Sequence, residues 1–378
     1  MIIGLNGQML TIDKFAGPEV YTFNVFKNIA LTDKENKYIV YFNSEPSKKF
    51  WEELTYKNPN FSYKVLDGRF SWTQWGLLWE LLLHPVAIFF GATHTIPVIQ
   101  HPKTRMISMI HGLEYKVNKQ YEKNSFKYLL HPIILWWVLR FSKIIVVPST
   151  ATKNALINNK FFLFNSKKII IINEGVSDKF FKRSQEEVDE IKRKYEIDYK
   201  KYLIFVSTIQ PRKNIPIMVN AFSKVVIEND NIGLLICGKL GWLYQESLES
   251  PKRYGVEKNV KFVGRVTDDD LPVLLSGAKY FISLSLEEGF GIPLLEAMAC
   301  QLPSIVSDIP SFKEIGEDTQ IYVDPQNLEK ITDILKNALN SPTDQNKINK
   351  AYELSKKYTW EKTSSTLISL FNSFNKNR

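Results

Sequence analysis

The sequence has few of the residues on which several classes of protein depend. Only two of its 378 residues are cysteines, Cys237 and Cys300, so a disulfide framework is excluded and buried free thiols in a reducing compartment are expected. The five histidines lack the spacing of a metal site. The most apolar window, residues 75–90, contains Glu80 and Pro85, and we therefore predict no membrane-spanning segment.

The sequence does contain a large apolar fraction and an excess of positive charge. Hydrophobic residues make up 44% and charged residues 24%, which is typical of a packed protein, and the length fits two domains. The net charge of +9 favours anionic partners such as nucleotides, phosphates or acidic lipids. A basic protein that binds nucleic acid without catalysis is one alternative, and steep salt dependence would identify it.

Short apolar runs alternate with helical segments along the whole chain. The runs predicted to be strands are IIGLN, KYIVYF, AIFFGA, RMISMI, KIIVVPS and KIIIIN in the first half, and YLIFVST, GLLICG, VKFVGR, YFISLS, PSIVSD and QIYVDP in the second. Their nearly continuous apolar character is typical of strands buried on both faces of a parallel sheet. We therefore predict two α/β halves, each a doubly wound parallel sheet, with a charged crossing after Val176.

Two windows rich in aromatic residues lie in the first half, SWTQWGLLWELLLH and KYLLHPIILWWVLRFSK. Both are expected to form helices that cover the sheet. The alternative is that one of them touches a membrane surface, because tryptophan beside lysine and arginine is favourable there.

The stretch LEEGFGIPLLEAMAC places two carboxylates around a turn that opens a helix. Glu288 precedes the turn, and Glu296 follows about one helical turn inside the helix. Gly289 and Gly291 allow the backbone to approach a ligand, and the backbone N–H groups of the first helical turn favour an anion. A nucleotide sugar, with phosphates at its centre and hydroxyls at both ends, would fit two flanking carboxylates. The alternative is that both glutamates only stabilise the helix N-terminus.

A second basic signal follows the first strand of the second half. In FVSTIQPRKNI, Arg212 and Lys213 are adjacent cations at the carboxyl end of that strand. The carboxyl ends of parallel strands meet at one edge of a sheet, so these cations are expected near the EGFG turn. Together they could neutralise a diphosphate.

These motifs resemble those of retaining glycosyltransferases of the GT-B fold, in family four, also called glycosyl transferases group 1. The resemblance rests on VSTIQPRKNI, CGKLGW, VGRV, SLEEGFGIPLLEAMACQLPSIVSD and YVDP in the second half, and on FAGPEVYTFNVFKNIA, MIHGL, VVPSTATKNAL and INEGV in the first. It implies two Rossmann-like domains facing across a cleft. Their expected limits are 1–177 for an acceptor-binding domain and 178–358 for a donor-binding domain, with a helix in 359–378 that crosses back to the first domain.

The resemblance also implies a role for particular residues. Four would be catalytic: His111, Glu288, Arg212 and Lys213. Arg212 and Lys213 would hold the donor diphosphate, Glu288 the sugar hydroxyls and Glu296 the ribose. The remaining donor contacts would come from Gly17, Gly289, Phe290, Gly291 and Ile292, the last three through backbone N–H groups. Where the family often has glycine, Gln301 stands here, and a positive φ would cost it roughly 1 kcal/mol.

The activity implied is transfer of a hexose, with retention, from a GDP- or UDP-hexose to a saccharide or lipid-linked acceptor in surface polysaccharide synthesis. Cations would stabilise the leaving phosphate, so neither a metal nor another cofactor is expected. The implied location is cytoplasmic, with peripheral association at the inner face of the membrane. A nucleotide-sugar 2-epimerase has the same architecture and stays an alternative. A phosphorylase would need a lysine signature for pyridoxal phosphate, which we do not find.

Overall fold

The structure, a computed structural model, describes residues 1–11, 17–68, 71–113, 126–159, 166–226 and 231–375. In this part of the chain two compact units are present. The first runs from Met1 to Gly175 and continues from Thr359, and the second runs from Val176 to Tyr358. Each unit is built around one parallel sheet.

The first unit has a sheet of seven strands in the order β3-β2-β1-β4-β5-β6-β7. The strands are β1 (Ile2–Asn6), β2 (Lys37–Phe42), β3 (Phe61–Val65), β4 (Ile88–Gly91), β5 (Arg105–Met109), β6 (Ile144–Val147) and β7 (Ile169–Ile171). The helices are α1 (Gly17–Thr32), α2 (Lys48–Thr55), α3 (Leu78–Leu83), α4 (Phe126–Phe141) and α5 (Thr150–Ile157), and a π-helical segment, Trp72–Leu77, leads into α3. Every strand pair is parallel, and the order reverses between β1 and β4, as in a doubly wound sheet.

The second unit has six parallel strands in the order β10-β9-β8-β11-β12-β13. They are β8 (Lys201–Val206), β9 (Ile232–Cys237), β10 (Val260–Gly264), β11 (Tyr280–Ser283), β12 (Ser304–Ser307) and β13 (Ile321–Val323). The helices are α6 (Gln185–Lys194), α7 (Ile215–Val226), α8 (Gln245–Arg253), α9 (Leu271–Gly277), α10 (Ile292–Ala299), α11 (Pro310–Gly316), α12 (Leu328–Asn340) and α13 (Gln345–Ser355). Alternate side chains of β8 enter two separate cores, with Ile204 on one face of the sheet and Phe205 on the other.

The last helix, α14 (Trp360–Ser373), packs on the first unit. The ring of Phe371 lies 5.8 Å from that of Phe90, and the Ser364 hydroxyl donates to the carbonyl of Val25 at 3.3 Å. Ser364, Leu367 and Phe371 are fully buried, so this helix forms part of the core of the first unit.

The predicted fold class is confirmed, since both sheets are parallel and all twelve predicted strands are present. The sequence reading missed β3, because FSYKV buries only Phe61 and has no apolar run. The stretch TDDDLPVLLSGA, with Thr267 before three acidic residues, predicts a helix that opens at Thr267, but α9 begins at Leu271. The Thr267 hydroxyl accepts the N–H of Asp270 at 3.2 Å in a turn before the helix. No helix in the described ranges is long and apolar enough to cross a bilayer.

Candidate active site at the carboxyl edge of the second sheet

The candidate site lies where the strand order of the second sheet reverses. β8 and β11 are hydrogen-bonded neighbours, although two strands separate them in sequence. The loop after β8 carries Arg212 and Lys213 in a short 3-10 turn, and the loop after β11 carries Glu288. The N–H of Leu286 donates to the carbonyl of Arg212 at 2.9 Å, which ties the two loops together. This reversal point is where ligands bind in doubly wound sheets.

Glu288 forms ion pairs with both cations. Its Oε2 lies 2.9 Å from Nη1 of Arg212, and its Oε1 lies 2.5 Å from Nζ of Lys213. The Arg212 guanidinium also donates to the carbonyl of Glu287 at 2.9 Å. The side chains are 8%, 5% and 14% exposed for Arg212, Lys213 and Glu288, so all three charges are largely removed from water. Two cations and one carboxylate leave a net positive charge at the edge of the sheet.

The protonation state of Glu288 follows from two opposing effects. Burial alone would raise the pKa of its carboxyl, but the charges of Lys213 and Arg212 lower that pKa to about 2. Glu288 is therefore ionised at neutral pH. The sequence predicted cations and carboxylate at one edge, and the structure adds direct pairing between them.

The loop from Glu288 leads directly into α10. Gly291 adopts φ 115°, and a Cβ atom there would lie 2.8 Å from the ring of Phe312, so this position requires glycine. No side chain caps the helix, and Pro293 occupies its first turn. The phenyl ring of Phe290 is buried against Tyr358, with the ring centres 5.7 Å apart. Any ligand contact of Phe290 would therefore use its backbone.

Glu296 lies in the second turn of α10 and differs from Glu288 in its surroundings. Its side chain is half-buried, and in the described part of the chain its carboxyl group has no hydrogen-bond or ion-pair partner. Burial, with a smaller contribution from the charge of Asp268, raises the pKa of Glu296 to about 8. This carboxyl is therefore protonated at neutral pH. Glu288 and Glu296 bracket one turn with opposite protonation states.

His111 belongs to the first unit, in the loop after β5. Its Nδ1 lies 3.0 Å from Oε1 of Glu174, and its Nε2 lies 2.9 Å from the carbonyl oxygen of Ala92. The ring of Tyr21 meets the imidazole edge-on at 4.9 Å. A backbone carbonyl can only accept a hydrogen bond, so the geometry requires a proton on Nε2 of His111.

Sequence reasoning missed Glu174. It stands in INEGV, directly before Gly175 and three residues after β7 ends, and its side chain is 7% exposed. Its position shortly after the carboxyl end of a parallel strand could have indicated a site residue from the sequence alone.

The remaining predicted residues are located as follows. Gly289 is half-buried in the loop between Glu288 and α10, and Ile292 is half-buried at the first residue of α10. Gly17 is exposed at the first residue of α1, and a Cβ atom there would meet nothing within 4 Å. Residues 12–16, which contain the start of the first-loop motif, lie outside the described residues.

Two further sequence predictions concern cysteine and metal. Cys237 and Cys300 are both buried and free, as predicted, and burial raises the pKa of each thiol to about 12. Over the described ranges, no group of three or more histidine, cysteine, aspartate or glutamate side chains could hold a metal ion.

Comparison with known proteins identifies the family. Residues 187–354 match the family model described as Glycosyl transferases group 1. O-antigen chain mannosyltransferase B of Escherichia coli is 25% identical over 299 residues, which cover 78% of this chain and 76% of that protein. O-antigen chain mannosyltransferase RfbU of Salmonella typhimurium is 28% identical over 245 residues, which cover 65% of this chain and 62% of that protein.

A solved structure extends the likeness over the whole chain. Anabaena HepE in complex with UDP and glucose superposes with a TM-score of 0.76 at 16% sequence identity, covering 99% of this chain and 100% of that one. At this identity the likeness shows the fold, which is GT-B. The matches also favour a transferase over the 2-epimerase and the nucleic-acid-binding alternatives. In residues 187–354 the chain therefore has the domain of the group 1 glycosyltransferases, retaining enzymes that transfer a sugar from a nucleotide-sugar donor.

Proposed function

We propose that this enzyme transfers a hexose, with mannose the first candidate, from a GDP- or UDP-hexose to a growing surface polysaccharide or a lipid-linked saccharide. The sugar and the acceptor are suggested by the two O-antigen mannosyltransferases to which the chain is similar. HepE, which shares the fold, was solved with UDP and glucose, so the base stays open between the two nucleotides. The observation that carries the proposal is the buried Arg212–Lys213–Glu288 cluster at the reversal point of the second sheet.

The proposed reaction breaks the bond between the anomeric carbon and the donor diphosphate. Negative charge then grows on the leaving phosphate, and Arg212, Lys213 and the N-terminus of α10 are placed to stabilise it. In the proposed front-face mechanism the leaving phosphate takes the proton of the acceptor hydroxyl. Because these cations would balance the charge of the diphosphate, we propose that transfer needs no metal.

Glu288 has a distinct part in this proposal. The carboxylate of Glu288 neutralises one of two buried cations. A bound diphosphate would compete for the same cations, and Glu288 would then be free to accept hydrogen bonds from the sugar hydroxyls. Glu288 therefore acts as a binding group for the donor, and the proposal gives it no role as a nucleophile.

The other donor contacts follow from their surroundings. We assign the ribose to Glu296, because its carboxyl is half-buried and unpartnered in the described part of the chain. The backbone of Gly289, Phe290, Gly291 and Ile292 is assigned to the phosphates and sugar. Gly17 stays a proposed donor-binding residue, and His111 stays a proposed catalytic residue.

We further propose a cytoplasmic location at the inner face of the membrane. A nucleotide-sugar donor is a cytoplasmic metabolite, and a lipid-linked acceptor would be presented at the bilayer surface. The basic character of the chain agrees with an anionic surface nearby.

The donor can be identified by thermal unfolding with a panel of nucleotide sugars, since a ligand that binds only the folded state raises its stability. We expect the largest shift with GDP-mannose, and we expect it to persist in EDTA. Product formation should then require an added acceptor. A sugar nucleotide converted to its epimer without acceptor would contradict the proposal.

Variants of the basic pair test the site itself. Arg212→Ala and Lys213→Ala should each lower transfer at least tenfold, because a charged hydrogen bond contributes about 1.5–3 kcal/mol. Arg253→Ala is the matched control, since Arg253 forms an exposed ion pair with Glu246 on the same unit. Transfer at the wild-type rate in both test variants would show that Arg212 and Lys213 are not part of the active site.

A further inference from the structure

Two helical segments of the first unit leave large apolar side chains in solvent. Trp75, Trp79 and Leu83 follow one another at intervals of four residues from the π-helical segment into α3, and they are 56%, 49% and 69% exposed. On α4 and the loop before β5, the exposed apolar residues are Ile133, Ile134, Trp136, Phe141, Val98 and Ile99. We call these nine residues the outer apolar surface. Such a collection exceeds the scattered apolar residues of an ordinary surface.

Both helices cover the same face of the sheet. Met106 of β5 lies in a hydrophobic cluster with Leu77 and Leu81, beneath α3. Ile110, four residues further along the same chain segment, lies in a cluster with Leu135 and Leu139 of α4. Residues separated by an even number in an extended strand point to the same side. The exposed sides of α3 and α4 therefore face solvent on one side of the unit.

The loop between β4 and β5 joins the two helices. The side chain of Gln74 donates to the carbonyl of Ile96 at 3.0 Å and accepts from the N–H of Val98 at 2.8 Å. Ile96 itself is buried in the cluster beneath α4. Val98 is therefore held beside the segment of Trp75, and this loop connects the two parts of the outer apolar surface.

The charge of this part of the chain is strongly one-sided. Residues 72–173, which contain both helical segments, have twelve lysines and arginines and three acidic residues, Glu80, Glu114 and Glu122. Of these, Glu80 is paired with Lys64 at 2.6 Å. At the C-terminal end of α4, Lys168 donates to the carbonyl oxygens of Arg140 and Ser142. These two hydrogen bonds hold Lys168 beside the C-terminal end of α4. Burial, together with the charges of Arg140 and Lys143, lowers the pKa of Lys168.

We propose that the outer apolar surface binds an anionic lipid bilayer. Tryptophans and aliphatic side chains would enter the headgroup region, while the neighbouring lysines and arginines meet acidic headgroups. Exposed apolar side chains together with an excess of positive charge favour an anionic bilayer, because an apolar protein partner would not require that charge. The proposal deepens the location given under the proposed function and rests on it only for the acceptor that the bilayer would present.

The test is co-sedimentation of the full chain with vesicles of phosphatidylcholine, alone or with added phosphatidylglycerol. We expect binding only to the anionic vesicles, weakened by high salt because screening shortens the reach of the charges. The double variant Trp79→Glu/Trp136→Glu should lower the partition coefficient at least about tenfold, since each tryptophan can bury a large apolar area. The matched control is Phe181→Glu/Leu248→Glu, which places the same two charges on exposed apolar sites of the second unit.

Three outcomes would overturn the inference. Equal binding to neutral vesicles would show that charge does not contribute to binding. Unchanged binding of the Trp79/Trp136 variant would show that the outer apolar surface is not the binding surface. A wild-type dimer that dissociates in that variant, with no vesicle binding, would assign the surface to a second copy of the chain.

Quenching of tryptophan fluorescence by brominated lipids in the wild-type protein is an independent measurement. Nucleotide-sugar binding should be unchanged in the variants, so failure here is distinct from failure of the proposed reaction.

Discussion

Glu288 is held by charge, because two buried cations contact its two carboxylate oxygens. A glutamine would preserve the shape of the side chain but would remove the negative charge that Glu288 presents to Arg212 and Lys213. Removal of one partner from a buried ion pair costs about 3–5 kcal/mol, whereas an exposed pair contributes about 1 kcal/mol or less. The same change would also remove the competition between the Glu288 carboxylate and the phosphates of a ligand for these two cations.

We therefore expect three results from Glu288→Gln. Urea unfolding should show that the free energy of unfolding falls by about 3 kcal/mol. Calorimetry should show that the variant binds nucleoside diphosphate at least as tightly as the wild type does. The rate of transfer should fall about tenfold or more, because the group that accepts hydrogen bonds from the sugar hydroxyls is lost. Glu246→Gln, in an exposed pair with Arg253, is the control and should change little. A tenfold weaker nucleoside diphosphate complex in Glu288→Gln would contradict this account.

The pH dependence of this variant gives an independent check. The pKa of Glu288 in the folded protein is about 2, below the value of about 4.3 for an unfolded glutamate. Its contribution to stability is therefore complete above about pH 4.3 and is lost as pH falls toward 2. The Gln variant should lack this component of acid unfolding.

Glu296 should behave in the opposite way, because its pKa of about 8 makes it a neutral acid at pH 7. The hydroxyls of a ribose would donate most strongly to the ionised form. Binding of a nucleoside diphosphate at pH 7 should therefore release a proton. Calorimetry in two buffers with different ionisation enthalpies measures this release as a difference in apparent binding enthalpy.

The proton release should disappear in Glu296→Gln and above pH 9. Asp268→Asn is a graded control, because the charge of Asp268 contributes to the raised pKa. For stability the sign is reversed relative to Glu288: a raised carboxyl pKa destabilises the folded protein as pH rises from about 4.3 to 8. The Gln variant should gain stability relative to the wild type over this window. Identical enthalpies in both buffers would reject the assignment of Glu296 to the ribose.

At the scale of elements, both ends of α10 could be explained from the sequence. Gly291 opens the helix with a positive φ. At the other end, Gln301 adopts φ 55°, as considered for the position where the family often has glycine. The N–H of Gln301 donates to the carbonyl of Met298, and that of Leu302 donates to the carbonyl of Ala297, which is the Schellman pattern. This ending satisfies two terminal carbonyls and offsets the roughly 1 kcal/mol cost of a left-handed glutamine.

The twelve predicted strands were accessible from sequence because each is a short apolar run buried on both faces. β3 was not, since an edge strand with one buried residue has no such run. The positions of Arg212, Lys213 and Glu288 at one edge followed from the parallel direction of the strands, because the loops after parallel strands lie at the same edge. Their pairing did not, because a contact between residues 75 or 76 positions apart depends on the register and rotamers of two loops. The same reason hid the contact of His111 with Glu174.

At the scale of the whole molecule, the second unit has the features of an independently folding domain. Its sheet is covered on both faces by hydrophobic clusters drawn from its own residues. Its first and last residues are adjacent, because the N–H of Val176 donates to the carbonyl of Tyr358 at 3.0 Å. The first unit, in contrast, takes part of its core from α14, which follows the second unit in sequence.

We therefore expect the fragment 176–358 to unfold cooperatively by itself and to bind nucleoside diphosphate, because Arg212, Lys213, Glu288 and Glu296 all lie within it. Circular dichroism during heating and calorimetry with GDP and UDP measure both properties. The fragment 1–175 is the contrasting control: without α14 it exposes the surface that covers Leu367 and Phe371, and it should aggregate or unfold at a lower temperature. Arg212→Ala within 176–358 should weaken binding by about the same factor as in the full chain. A folded fragment 176–358 that binds neither nucleotide would mean that the donor site cannot be formed by this unit alone.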